Sequence, residues 1–250
     1  MLNLIALAIA LAAPPEPASS LPFVRGLDAP AGKVVRQIGT SERMVPPRPI
    51  VRKCVAWGAH AAVWTEDPSL MGVQDLELRA RPGGWAPEKV CAPTLAGARR
   101  VPANDQIFDP VGAVGRHLVT LYPDGLGVLS SFALVDMETG ARILGDEFNV
   151  EKGIDFTRTG GEVTASWWSN VGDVPCVPRR GESACWLRIL AAKKVPATLK
   201  IPAPDCEPIL KKRPAAAAEG SVQITIRART TLGRSAIEYL ADPATCDAAE

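Results

Sequence analysis

The stretch GEVTASWWSN, residues 161–170, decides how the fold is read. Val163, Ala165 and Trp167 alternate with Thr164, Ser166 and Trp168, the pattern of a strand whose neighbouring side chains point to opposite faces. Trp167 is therefore expected to join the main core. Trp168, on the other face, needs a cover of its own: an adjoining blade, a packed loop or a ligand. A strand covered on both faces is natural inside a propeller, whereas the outer face of a β-sandwich is wet.

The rest of the chain repeats this alternation. In DLELRAR, residues 75–81, Leu76, Leu78 and Ala80 alternate with Glu77, Arg79 and Arg81, and the polar set is expected on a wet face. SVQITIRAR, residues 221–229, sets Val222, Ile224, Ile226 and Ala228 against Gln223, Thr225, Arg227 and Arg229. Between residues 117 and 144, three apolar runs are separated by Pro123-Asp124-Gly125 and Glu138-Thr139-Gly140, which predicts three antiparallel strands joined by turns. The segment VDMETGARI, residues 135–143, is similar to the strand-turn-strand of many propeller blades, where an Asp and a Thr-Gly turn link two strands. PAAAAEG, residues 214–220, has high helix propensity but is short enough to read as a loop with one helical turn. With 23 prolines and 21 glycines, the chain favours short strands and turns over long helices. The expected fold class is all-β, built of antiparallel meanders, propeller-like in preference to a β-sandwich, and stapled by disulfides.

At the amino terminus, the apolar run from Leu4 to Ala13 suits the h-region of a secretory signal peptide, with Ala10 and Ala12 offering a small-residue cleavage site. Residues 1–20 are assigned to the signal peptide and its cleavage region. Residues 21–53, ending in MVPPRPIVRK, are expected as an extended proline-rich arm, because Pro46, Pro47 and Pro49 fix φ and withdraw amide donors. VVRQI, residues 34–38, is a candidate edge strand within that arm. Residues 54–250 are expected to form the all-β domain. No stretch after the signal is apolar over the ~20 residues a spanning helix needs.

Six cysteines in an exported chain favour disulfides. The pairing adopted is sequential: Cys54 with Cys91, Cys176 with Cys185, and Cys206 with Cys246. In PCVPRRGESACW, residues 175–186, the two cysteines are too far apart for a zinc knuckle or a C-x-x-C redox motif. Loop pinning survives, with a stabilisation of roughly 2 to 3 kcal/mol for a loop of this size. Arg179 and Arg180 at the tip of that loop are candidates to meet an anionic partner. Trp168 is a candidate to stack on a sugar.

Catalytic chemistry finds little purchase. The chain has two histidines, His60 and His117, in no metal-binding spacing, and no metal or cofactor is expected. G-x-S-x-G and S-x-x-K are absent, and GRSAI, residues 233–237, lacks the second glycine. Glu66, Asp67, Asp136, Glu138 and Asp155 are the carboxylates to check for the facing pair that a glycosidase uses, although acids in turns are usually caps. PVGAVGRH, residues 110–117, has no helix to receive a phosphate. A net charge of +1 with scattered basic pairs argues against a nucleic-acid binder. The expected product is a periplasmic or secreted, non-enzymatic module that binds a protein or glycan partner. The alternative is a hydrolase of cell-envelope polymers that uses paired carboxylates.

Overall fold

The computed structural model of the chain describes residues 23–70, 72–81, 86–92, 97–101, 109–123, 129–171, 176–178, 183–212, 222–234 and 236–248. After β1 (Val24–Arg25), the chain forms β2 (Gly32–Ser41), β3 (Arg48–Trp57), β4 (His60–Glu66) and β5 (Gln74–Ala80). Helix α1 (Pro87–Val90) leads to β6 (Arg99–Arg100), and β2 to β6 lie in that order in an antiparallel sheet. A second meander follows: β7 (Asp109–Val114), β8 (His117–Pro123), β9 (Leu129–Asp136), β10 (Arg142–Asn149), β11 (Ile154–Thr159) and β12 (Glu162–Asn170). Helices α2 (Ser183–Ala192) and α3 (Glu207–Leu210) precede β13 (Val222–Thr231), β14 (Glu238–Tyr239) and β15 (Thr245–Ala248). The second meander, β1 and β13 to β15 make a ten-stranded sheet that curls into a half-barrel. Among the described residues, only β1 pairs in parallel, on β11.

The three strands expected between residues 117 and 144 are β8, β9 and the start of β10. The segment expected as an arm, 21–53, is built into both sheets: it holds β1, β2 and part of β3, and the boundary at residue 54 falls inside β3. VVRQI lies in β2, an edge of the five-stranded sheet. The prolines that suggested an arm sit in the β2–β3 connection and at the outer end of β3, beyond the reach of β4, where a missing amide donor breaks no ladder. The signal region and PAAAAEG lie outside the described residues.

The core follows from the alternation. One face of the ten-stranded sheet buries Val119, Leu121, Phe132, Leu134, Phe148, Ile154 and Trp167. Phe132 meets Trp167 edge-on at 5.1 Å and Phe148 at 5.8 Å, the geometry that aromatic quadrupoles favour. The opposite face is divided. Over β7 to β9 it presents Ala113, Leu118 and Val135 to Val55, Trp57, Trp64 and Leu78 of the five-stranded sheet. The far face of that smaller sheet, with Cys54, Ala56 and Val63, is closed by Val90 and Cys91 at α1.

Three polar residues expected on wet faces, Arg79, Gln223 and Thr225, are buried instead. Arg79 is 1% exposed, and its guanidinium donates to the carbonyls of Val90 at 2.6 Å and Ala92 at 2.7 Å and to Glu77 at 2.5 Å. The α1 segment that covers this face supplies the acceptors that make the burial of a charge tolerable. Thr225 is fully buried because β15 adds Thr245 beside it, 2.9 Å between hydroxyl oxygens. Helix α2 was not foreseen. It packs Cys185, Trp186, Ile189 and Leu190 on Ile224 and Ile226 of β13.

The disulfides are Cys54–Cys91, Cys176–Cys185 and Cys206–Cys246, and each ties a covering segment to the sheet or helix beneath it. Cys185 stands in the first turn of α2, so its bridge holds the approach to a helix where a hairpin loop was expected.

The two apolar clusters on β13 meet at Asp146. This carboxylate accepts from Trp167 Nε1 at 2.8 Å and Ser169 Oγ at 2.5 Å, and pairs with Lys193 Nζ at 2.8 Å just past α2. Its side chain is 8% exposed, so removing it strands a cation and two donors in a poorly solvated place. Asp146→Ala is expected to lower stability by ~3–5 kcal/mol in urea unfolding at neutral pH. Glu238→Ala, which breaks an exposed pair with Arg229, should hardly move the midpoint.

Candidate functional site

The face of the large sheet that β2 to β6 cover over β7 to β9 continues beyond the smaller sheet across β11, β12 and β13, where Asn170, Gln223 and Thr225 are buried and Ser166, Trp168 and Arg227 are partly exposed. The registers carry the side-chain parity around: Leu118 opposes Val135, Glu147 opposes Ser131, Phe148 opposes Ser169, and Trp168 opposes Arg227. Trp168 therefore lies on the same face as Leu118 and Val135 but beyond the edge of the smaller sheet. Ser166, Asp155 and Arg25 share that face through the pairs Asp155–Ser166 and Arg25–Asp155. Asp247 and Thr245 share it through Gln223 and Thr225. The result is a polar shelf with one aromatic ring at its centre.

Trp168 is half-buried, and its cover is two cations. Lys152 Nζ stands 4.8 Å from the ring centroid and the Arg227 guanidinium 5.6 Å from it, both within the range of cation–π attraction. Lys152 is placed by the corner between β10 and β11. Asn149, fully buried, accepts the Lys152 amide at 3.1 Å and donates to Gln223 at 2.9 Å. Gly153 closes the corner with φ of +71°, and a Cβ there would stand 2.5 Å from the Phe23 carbonyl oxygen. Only glycine fits that approach. The Lys152 ammonium then donates to Thr225 at 3.3 Å, to Thr245 and to Asp247.

The ion pairs on the shelf are unequally distributed. Arg25 holds Asp155 through two bonds, at 2.5 and 2.8 Å, Lys152 holds Asp247, and Arg229 holds Glu238 at 2.8 and 2.9 Å. Arg227 donates to Ser166 Oγ at 3.3 Å and, among the described residues, pairs with no carboxylate. A guanidinium held near an indole, with donors beyond its bond to Ser166 and its charge already acting on Asp155, is suited to recognise a carboxylate or another planar anion.

The other sequence candidates are engaged elsewhere. Arg179 and Arg180 lie outside the described residues. Glu66 accepts from Trp64 Nε1 at 2.9 Å and pairs with Lys53 at 2.7 Å. Asp67 accepts from the Ser69 amide and hydroxyl, which hold its carboxyl below the usual range. Asp136 is pushed up by burial, but the amides of Thr139 and Glu138 and the Arg116 charge outweigh this and hold it low. Arg116 also meets Glu138 at 3.2 Å. His117 is buried, which lowers its pKa, and its Nε2 has no partner among the described residues. His60 begins β4 opposite Trp57. Asp109 carries a carboxyl raised by burial and by the nearby Glu66 charge, with Lys53 opposing. No three metal-ligating side chains come together among the described residues.

The sequence singled out Trp168 and missed its partners. Arg227 was legible as a polar strand position, but nothing in the sequence brings Lys152 to the ring, because its position depends on a corner set by Asn149 and Gly153. Compared with protein-family models, with curated proteins and with solved structures, the chain gives no match.

The hydrogen bonds from Arg25, followed by the charges of Arg25 and Arg227, hold the Asp155 carboxyl below its ordinary 3.8. A carboxylate whose folded pKa is depressed adds stability above the unfolded value and loses it as pH falls through the folded one. Carboxyl NMR should find the Asp155 midpoint below 3.8, and Arg25→Met should raise it toward that value.

Proposed function

We propose that this chain is an exported, non-enzymatic binding module whose ligand face is the shelf of Trp168, Lys152 and Arg227. One observation carries the reading: a half-buried indole is stacked with cations on the half of a sheet face that the second sheet leaves uncovered. Partly exposed aromatics and arginines concentrate binding energy at recognition surfaces. The partner class is a protein or a glycan. Arg179 and Arg180 stay in the proposal as a second basic contact.

Export is supported by the apolar N-terminal run and by three disulfides, which persist in the periplasm or outside the cell. No helix among the described residues is long and apolar enough to cross a membrane. Of the two architectures weighed, the packing of the smaller sheet on β7 to β9 favours a sandwich over a propeller.

One observation favours the second reading, a hydrolase of envelope polymers. Asp109, raised by burial, lies within electrostatic reach of Glu66, as an acid and its partner would. The ion pair of Glu66 with Lys53 argues for a structural role instead.

The test compares wild type with Trp168→Ala and Arg227→Gln on an array of envelope glycans and in an envelope-protein extract. Each variant is expected to weaken retention of the bound partner by about tenfold, the scale of one lost anchor residue. Equal retention by all three proteins contradicts the shelf as the ligand face. Polymer breakdown that disappears in Asp109→Asn would establish the hydrolase reading. Recovery of the chain from the cytoplasm with residues 1–20 intact would contradict export.

A further inference from the structure

The basic residues are less scattered in space than along the chain. Between Lys33 and Lys53 stand six cations, Lys33, Arg36, Arg43, Arg48, Arg52 and Lys53, against one carboxylate, Glu42, in a protein of net charge +1. All lie on the β2–β3 ribbon or its connection. Arg36 stands directly opposite Arg52 in the register, a pairing of like charges that costs stability. Arg52 and Lys53 face Glu77 and Glu66 and the Arg43 charge acts on Asp67, but Arg36 and Arg48 form no ion pair among the described residues.

The same ribbon is an open edge. β2 is 10 residues long and pairs only with β3 among the described residues, so its outer row of amides and carbonyls has no strand beside it. β4 reaches only to Val51, which leaves the outer end of the ribbon two strands wide, a form that is marginal in water. Val35 is 49% and Ile38 55% exposed. Native edges are usually blunted, by charge among other means, and Lys33 and Arg36 guard this one against neutral or basic strands while leaving it open to an acidic one. Here the one irregularity is the shift in register between Gln37 and Gly39, which leaves Gly32 to Gln37 regular.

From these features we infer that the free edge of β2 docks an acidic, extended segment of a partner protein. The segment adds as a sixth strand along Lys33 to Gln37, with its main chain bonded to the open row, its carboxylates on Arg36 and Arg48, and its apolar side chains on Val35 and Ile38. Charge excludes a second copy, because two ribbons would face each other with the same excess of cations. The backbone row favours a polypeptide over other polyanions, which have no ladder to offer. This site is separate from the Trp168 shelf and stands or falls without it.

The probe is a peptide as long as β2 that alternates Glu with Val, titrated into the full chain while amide hydrogen exchange is followed. Binding is expected to protect the outward amides of β2, and Arg36→Glu with Arg48→Glu should weaken it by about tenfold or more. Both arginines are exposed, and unchanged exchange in β3 shows that the variant is folded. Equal binding of a Lys–Val peptide overturns the charge argument, and equal binding of the Glu–Val peptide N-methylated on alternate amides overturns edge pairing. Heparin binding of equal strength that also protects β2 assigns the ribbon to polyanions and overturns the protein segment. A dimer that protects β2 without peptide, or no peptide binding at millimolar concentration, overturns the inference.

Discussion

The structure depends on the alternation of side chains along β12. Trp167 and Trp168 are neighbours, so a strand must send them to opposite faces. One enters the aromatic core with Phe132 and Phe148, and the other emerges on the shelf beneath Lys152 and Arg227. β12 also pairs with β10, β11 and β13, which places the two tryptophans where the long meander and the C-terminal strands join. Slipping any of these registers by one residue would exchange the faces and bury Arg227 and Asp155 among phenylalanines.

Around that strand the fold is held by layers that differ in kind. Apolar packing joins the two sheets over β7 to β9, and a second cluster seats α2 on β13. Asp146 stitches the sheet to the end of α2 through Lys193, and Tyr239 closes over the same place, its hydroxyl 3.3 Å from the Lys193 carbonyl oxygen. Burial and the Asp146 charge push the Tyr239 phenol to about 12. The disulfides lie within the apolar clusters, Cys54–Cys91 under α1 and the other two around α2. Each ties a covering segment to what lies beneath it, as at α1 over Arg79.

Much of this was legible because it is local. Alternation marked β5, β12 and β13, turn chemistry marked the meander, and the cysteines pair in the order in which they occur along the chain. What failed depended on contacts distant in sequence. Arg79, Gln223 and Thr225 were polar members of alternating runs and therefore expected to be wet, but α1 and β15 cover them. Proline suggested an arm where a hairpin forms, because a ladder missing on one side tolerates proline. Helix α2 had a signal in Cys185, Trp186, Ile189 and Leu190, a helical spacing obscured by reading the cysteines as a loop. The shelf was half legible. Trp168 announced a surface in need of cover, while Lys152 reaches it only through a three-dimensional corner.

The central claim concerns which face each tryptophan occupies, and indole hydrogen exchange in tryptophan-labelled protein tests it most directly. Trp167 Nε1–H, bonded to Asp146 in the core, should exchange only when the whole domain opens, and Trp168 Nε1–H, with no bond among the described residues, should exchange quickly. Fast exchange at Trp167, or equal protection of the two, would contradict the account.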